Sequence, residues 1–336
     1  MGQDKRPTIK DVAAHAGVSK STVSLVVQNS PQVKDETRKA VHASMQALGY
    51  VRNRAAATLR GSGTGLVGLV LNDLRNPFFT EFAASVQMAL ATHGLSTVIA
   101  NCDEDPDVQN RTILSMMEHD VAGFLISPCY GAIDDGFAAI DRAGLPTLQV
   151  LRQVPSEVAL PFFSHDYVGG SQMAVRHLLD QGMTRIAFVG GDGAREITTE
   201  RMSGYLSEME ARGLPKLVLN GPTTRAFGRD AAETLTRHYP DIEAVICFND
   251  LVALGLQAGM TRFGRKVGHD VFVVGFDDIE EARLAFPALS TIHCDVAGFG
   301  SESARLLFEM IQNGHRPRAL KRQPVELRVR DTSVRR

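Results

Sequence analysis

Two sets of residues in this chain are placed to do chemistry, and both would do it by hydrogen bonding rather than by making bonds. The first lies in Thr8 to Val27, TIKDVAAHAGVSKSTVSLVV, where Lys20, Ser21 and Leu25 fall on the outer side of a short helical segment. A lysine can donate to guanine O6 and N7, a serine can pair with either base edge, and a leucine can touch a thymine methyl without hydrogen-bonding. Thr8, Ser19, Thr22, Gln28 and Thr37 around them suit phosphate oxygens. The second set follows the apolar runs of the remaining chain. Phe78, Ser127, Arg152, Asn249 and Asp277 sit at or just after such runs, with Phe79, Asp250 and Asp278 beside them, while Asp166 opens the segment HDYVGG and Arg201 sits in TTERMSGY. A guanidinium fork, an amide and a carboxylate offer donors and acceptors to a polyol or an anion, and a phenyl face can stack on the CH face of a sugar ring. Catalytic signatures are missing: the sequence has no G-x-S-x-G, H-E-x-x-H or G-x-x-x-x-G-K-[ST], and Gly190, Gly191 and Gly193 lack dinucleotide spacing. The expectation is a protein that binds, not an enzyme.

The elements needed to position these residues can be read from periodicity. Ile9, Val12, Ala13 and Ala16 recur at i, i+3, i+4 and i+7, which predicts a helix with one apolar face. Gly17 ends it, Ser19 stands at an N-cap position, and a second helix turns Val23, Val26 and Val27 inward. Two helices too short to stand alone, crossed over a glycine turn, make a helix-turn-helix. A third helix over 35–48 is expected to close the core with Ala40, Val41, Ala43, Ala47 and Leu48. Asn53 can cap a short helix from Arg54 to Leu59, and Gly61, Ser62 and Gly63 then form a linker.

From Leu66 the pattern changes to short β-rich runs, LVGLVL, STVIAN, AGFLIS and PTLQVL, then RIAFVGG, AVICFND and VFVVGFDD, separated by helical stretches. Alternation of this kind predicts parallel sheets covered by helices on both faces. Ligands in such folds bind beyond the carboxyl ends of the strands.

Composition narrows the function. The 336 residues are 44% apolar and carry a net charge of −2. Residues 1–62 hold ten Lys and Arg against four Asp and Glu, a balance of +6, which leaves −8 for the rest. A basic head on an acidic body suits a polyanion at one end only. No run approaches a membrane span, the opening MGQDKRPTIK has no h-region, and Cys102, Cys129, Cys247 and Cys294 show no metal-site spacing. A cytoplasmic protein with reduced thiols, no metal and no cofactor is expected, and a secreted solute-binding protein is disfavoured.

With its flanking segments, TIKDVAAHAGVSKSTVSLVV resembles the headpiece of the LacI/GalR family of transcriptional regulators almost position for position. The resemblance implies an α/β body of two Rossmann-like, periplasmic-binding-protein-like lobes behind an all-α head. The implied division is a headpiece over 1–50, a hinge helix and linker over 51–63, and an effector-binding and dimerisation domain over 64–336. Lobe one would take about 64–161 and 293–320, and lobe two about 162–292 and 321–336, with crossings near Pro161, Thr291 and Leu320. Leu59 occupies the position of the hinge leucine that wedges into the minor groove, with Arg52 and Arg54 along the phosphates; Arg52 stands where the family often has proline. Phe78 matches the family's N-P-F-F, and Arg152 matches its arginine, although Leu151 replaces the usual preceding aspartate. Arg201, Asn249 and Asp277 fall on effector-contacting positions. The implied protein is a repressor, a homodimer on double-stranded operator DNA, controlled by a sugar, sugar acid or sugar phosphate; the chain's ending, DTSVRR, without a heptad tail, argues for a dimer rather than a tetramer.

Overall fold

The computed structural model describes residues 7–27, 30–50, 64–131, 134–153, 158–314, 316–317 and 322–335. The chain divides into two compact units, Met1–Thr64 and Gly65–Arg336.

In the first unit, α1 (Ile9–His15), α2 (Lys20–Val27) and α3 (Asp35–Ala47) enclose a core of Val12, Ala13, Val23, Val26 and Val41. Asp11 accepts hydrogen bonds from both the amide and the hydroxyl of Thr8, at 2.7 Å each, and so fixes the start of α1. Its end is a Schellman turn: Val18 N–H reaches Ala13 O (3.0 Å), Gly17 N–H reaches Ala14 O (3.3 Å), and Gly17 takes φ +65°. That left-handed residue turns the chain within three positions, which is why glycine is required there. In α3 the inward face differs from expectation. Ala40, Ala43 and Ala47 are exposed, and Val41, Ser44, Met45 and Leu48 face the core. Their i, i+3, i+4, i+7 spacing places the larger side chains inward, where they bury more apolar area than the alanines would.

The second unit has two sheets. The first runs β2 (Ser96–Asn101), β1 (Leu66–Leu71), β3 (Gly123–Ile126), β4 (Thr147–Val150), β5 (Phe162–Phe163), and every pairing in it is parallel. The second runs β11 (Glu326–Arg328), β10 (Ser290–His293), β9 (Phe272–Asp277), β8 (Ala244–Cys247), β6 (Ile186–Val189), β7 (Leu217–Leu219), with only β10 and β11 antiparallel. The sheet helices are α4 (Pro77–Thr92), α5 (Pro106–Glu118), α6 (Asp134–Arg142), α7 (Tyr167–Asp180), α8 (Glu196–Ala211), α9 (Arg225–His238), α10 (Asp250–Arg262), α11 (Glu280–Leu284) and α12 (Val296–Asn313). Asn76, Asp105, Asp166, Thr224 and Asn249 cap the first turns of α4, α5, α7, α9 and α10.

Strand β5 keeps Phe162 and Phe163 in the first sheet, so the chain crosses between lobes at 164–166. Thr291 lies within β10, and the return follows it at 294–295; α12 then packs on α4, where Ser85 donates to Ala297 O (2.6 Å). Leu320 lies outside the described residues. Gln323 is back against the first crossing: its amide donates to Ser164 O (2.9 Å), and its carbonyl accepts from Asp166 N–H (2.8 Å). The ring of His165 at this junction stacks on Phe299, centroids 4.4 Å apart. Among the described residues, no helix is long and apolar enough to cross a membrane.

Candidate functional site

The strand ends of the two sheets face each other across a cavity of about 70 Å³ that opens to solvent. Phe78, Phe79, Leu151, Tyr167, Ile197, Phe248 and Leu251 give it apolar walls; Asn72, Asp73, Asn76, Glu104, Arg152, Arg201, Thr223, Asn249 and Asp277 give it polar ones.

Arg201, on the second turn of α8, is the centre of the far wall. Its guanidinium lies 3.9 Å from the Phe276 ring centroid, 4.6 Å from that of Phe248 and 4.8 Å from that of Tyr167. One terminal nitrogen donates to Asp277 Oδ1 (3.2 Å) and the other to the Phe248 carbonyl, while Nε has no partner within the described protein. Three rings around a buried cation replace part of the lost hydration, and the carboxylate supplies the rest. Asp277 is held above the usual carboxylate range by burial, against which Arg201 and Asn76 act to lower it.

The near wall is a relay. Ser127 donates to Asn72 Oδ1 (2.7 Å), Asn72 Nδ2 donates to Glu104 (3.0 Å), and Glu104 takes Arg152 Nη1 on both oxygens, at 2.9 and 3.0 Å. Tyr167, at the start of α7 in the second lobe, donates its hydroxyl to the carbonyl of Leu151 in the first (2.9 Å). Leu151 presents that carbonyl at φ +67°, Glu104 sits at +60° and Asp277 at +115°. Among the described residues, three of the six non-glycine positions with positive φ therefore line this one cavity. Each such conformation costs about 1–3 kcal/mol, and clustering of that kind marks functional sites.

Of the residues expected for an effector, Phe78, Arg152, Arg201, Asn249 and Asp277 line the cavity. Ser127 and Asp166 do not. Ser127 is buried behind Asn72, which it orients, and Asp166 is an exposed cap whose carboxylate accepts from Gly169 N–H (2.9 Å). At the AVICFND strand end, Asn249 is the helix cap, accepting from Val252 N–H (3.0 Å), as well as a lining residue. Asp250 is fully buried and accepts from Ile279 N–H (2.9 Å) and the Thr291 hydroxyl (2.6 Å); burial pushes its carboxyl well up. Asp278 binds Arg330 and His293 instead of the cavity. The rule of looking beyond strand ends also reaches Asn72, Asp73 and Glu104, which the sequence reading passed over. Thr223 had no such signal, since β7 before it is only three residues long.

In the first unit, Ser19 accepts from Thr22 N–H (3.0 Å), and the two hydroxyls share a 2.8 Å hydrogen bond. Lys20 and Ser21 are exposed at the N-terminal end of α2, with Leu25 half-buried one turn on; Thr8 is exposed and Thr37 half-buried. Gln28, Arg52, Arg54 and Leu59 lie outside the described residues.

A helix-turn-helix unit with its second helix open to a groove, in one chain with a two-lobed body around a polar cleft, defines a small-molecule-responsive DNA-binding protein. Comparison with known proteins agrees. Residues 8–53 match the model of the lacI family of bacterial regulatory proteins, and 175–333 match a periplasmic binding protein-like domain. The chain is 31% identical over 293 residues to the maltose regulon regulatory protein MalI of Escherichia coli K12, covering 86% of this chain and 84% of that one. It is 33% identical over 330 residues to the transcriptional regulator CelR of Thermobifida fusca, covering 93% and 94%. A lac repressor dimer bound to operator and the anti-inducer ONPF superposes with a TM-score of 0.85 at 26% identity, over 98% of this chain and all of that one. A CelR–cellobiose complex gives 0.73 at 31% identity, over 97% and 100%. The chain belongs to the LacI/GalR family. It is a sequence-specific DNA-binding transcriptional regulator, and members of this family are regulators, not enzymes.

Proposed function

We propose that this regulator is a homodimeric repressor, working in the cytoplasm on nucleoid DNA, whose operator affinity is set by an uncharged sugar bound between the lobes. The observation that carries the effector class is the pairing of both cavity arginines. Glu104 neutralises Arg152 and Asp277 neutralises Arg201, and the third lining carboxylate, Asp73, pairs with Arg75. A sugar acid or sugar phosphate would therefore meet a wall whose two lining arginines are already paired. A neutral sugar needs no countercharge: Phe78, Phe79 and Phe248 suit its CH faces, and Asn249, Asp277 and Arg201 suit its hydroxyls. The cellobiose complex of CelR and a ribose complex of a LacI-family regulator from Enterococcus faecium support the same class. In a thermal-shift screen, a neutral sugar at 100 times its dissociation constant should add about 2.7 kcal/mol of stability. The corresponding acid and phosphate should add nothing at the same concentration; stabilisation by the phosphate alone would overturn the assignment.

For the head, Lys20, Ser21 and Leu25 are the base-reading set in this proposal, with Thr8, Ser19, Thr22, Gln28 and Thr37 toward phosphates. Thr8 and Ser19 also spend their side chains on helix caps, so their amides and hydroxyls are held in fixed positions. Replacing Lys20 by Ala should cost about 1–3 kcal/mol on the cognate half-site and relax selection at one base pair. An equal loss on every sequence, measured by binding titration across operator variants, would make Lys20 a phosphate contact.

The domain division 1–50, 51–63 and 64–336 is proposed to work as head, hinge and control unit, with Arg52, Arg54 and Leu59 acting in the hinge on the minor groove. Dimerisation is supported by exposed apolar side chains on the body: Leu284 is 71% and Phe286 96% exposed, and Val98 and Ile99 lie open on edge strand β2. Exposed apolar groups of this size on a sheet edge and a short helix mark association surfaces.

A further inference from the structure

The Glu104 carboxylate is held at the cleft by a stretch of backbone that most residues avoid. Asp103 and Glu104 stand consecutively at φ +50° and +60° in the short loop after β2. The loop is pinned three times: Cys102 N–H donates to Leu71 O (2.8 Å), Glu104 N–H to Asn72 O (2.9 Å) and Asp105 N–H to Cys102 O (2.9 Å). Glycine would take φ +60° without strain, and what it would lack is the side chain.

That side chain is spent on Arg152. Both Glu104 oxygens accept from Arg152 Nη1, at 2.9 and 3.0 Å, and one of them also accepts from Asn72 Nδ2 (3.0 Å). Among the described residues no second carboxylate pairs with Arg152. Its other close contacts carry no charge: the Pro128 carbonyl, 3.5 Å from Nη1, and the face of Tyr130, 4.6 Å from the guanidinium. The Tyr130 ring also takes the guanidinium of Arg195, from the second lobe, at 4.7 Å, so a further cation stands close by. Arg152 puts only Nη1 into its hydrogen bonds. Nε and Nη2 have no partner among the described residues, and both Arg152 and Glu104 line the cavity.

We infer that Glu104 is a specificity-determining residue of the cleft: it cancels the charge of Arg152 and so excludes anionic sugars, and without it Arg152 Nε and Nη2 would accept a phosphate or carboxylate. This rests on the reading of the cleft as the effector site and deepens it by naming the group that sets the charge of the ligand. The side edge of a guanidinium, Nε with one terminal nitrogen, matches two oxygens of an anion. With Glu104 in place, attraction to Arg152 and repulsion from the neighbouring carboxylate oppose each other. With Glu104 removed, the attraction stands alone, and one unit charge a few ångströms away is worth a factor of ten or more even at the effective dielectric constant of a protein surface.

Inorganic phosphate and sulfate are the probes. In titration calorimetry of the full chain at constant ionic strength, with chloride as the balancing ion, Glu104→Gln should bind both at least about tenfold more tightly than wild type. Glu104→Asp, which keeps the charge, should show no gain, and Glu104→Gln combined with Arg152→Gln should lose it. Phosphate binding to Glu104→Gln should strengthen with pH as the ion becomes a dianion while sulfate binding stays level, a signature that a merely structural role for Glu104 would not produce. Glu104→Gly removes the same charge at a backbone angle that glycine adopts freely, so a poorly folding glutamine variant leaves the test intact. Wild type that binds phosphate as tightly as Glu104→Gln would overturn this assignment together with the neutral-sugar reading. Folded Glu104→Gln or Glu104→Gly protein that gains no anion affinity, or a gain that survives the loss of Arg152, would overturn the assignment alone and leave the sugar reading standing.

Discussion

Arg201→Met is expected to destabilise the body by about 3–5 kcal/mol, the loss that follows when one member of a buried ion pair is removed. The reason is what it leaves behind. Arg201 is 4% exposed, and without it the equally buried Asp277 carboxylate keeps only Asn76 as a favourable partner, while the Phe248 carbonyl loses its donor. The pH dependence identifies the mechanism. Asp277 already titrates above the usual range, and its pKa must rise further without the cation. A raised carboxyl contributes stability that is fully present below its unfolded pKa and lost as pH rises through the folded one. The deficit of the variant should therefore shrink as pH is lowered from 7 toward about 4, where Asp277 can take up a proton. Adding Asp277→Asn should recover part of the loss at pH 7, because the two changes share one interaction. Arg201→Lys should not, since a point charge cannot serve a carboxylate, a carbonyl and three rings together. Urea denaturation of the four proteins at two pH values measures all of this; a loss below about 1 kcal/mol for Arg201→Met would mean that Asp277 is supported otherwise.

The second large effect is expected at His165, where the crossings meet. Burial, with smaller contributions from the Arg201 and His293 charges, pushes its pKa down from 6.5 to about 3. Neither ring nitrogen has a hydrogen-bond partner among the described residues, and the ring stacks on Phe299 with Phe78 at its edge. A depressed histidine contributes stability that is present above its unfolded pKa and lost as pH falls toward the folded one, so the window here runs from about 6.5 down to about 3. By pH 5 the loss should be about 2 kcal/mol, which is the proton taken up by the unfolded chain alone. His165→Phe should abolish that term and, by removing two unpaired buried nitrogens, gain about 1–3 kcal/mol at pH 7. The comparison must be between the two proteins at each pH, since Asp250 and Asp277, with raised pKa values, act with the opposite sign. Identical pH slopes for wild type and variant would show that His165 is solvated or protonated in the native protein.

Much of this molecule was legible in the sequence because its information is local. Gly17 and Ser19 define the turn of the head within a few residues, and the apolar runs from Leu66 onward announce strands buried on both faces. Alanine-rich α3 was misread because alanine is neutral toward burial, and the larger Met45 and Leu48 decide which face turns in. The cleft was half legible. Residues at strand ends could be found by rule, which gave Arg152, Asn249 and Asp277; Arg201, on the second turn of α8, was reached through the family resemblance. The rest depends on partners far apart in the chain: Asp166 and Asn249 look alike at helix starts, yet only Asn249 faces the cavity. That Arg152 and Arg201 are both neutralised, which changes the effector expected, follows from Glu104 and Asp277 lying 48 and 76 residues away. The positive φ values of Glu104 and Leu151 leave no mark in a sequence at all.

The central claim is that a neutral sugar in this cleft controls the grip of the head on DNA. It is tested most directly by the affinity of the full chain for an operator duplex selected from random sequence, measured by fluorescence anisotropy with and without a saturating sugar from the thermal-shift screen. The account predicts a shift of about tenfold or more, and an equal shift in sugar affinity when operator is bound, because coupling between two binding sites is reciprocal. A sugar that binds the cleft and leaves operator affinity unchanged would contradict it.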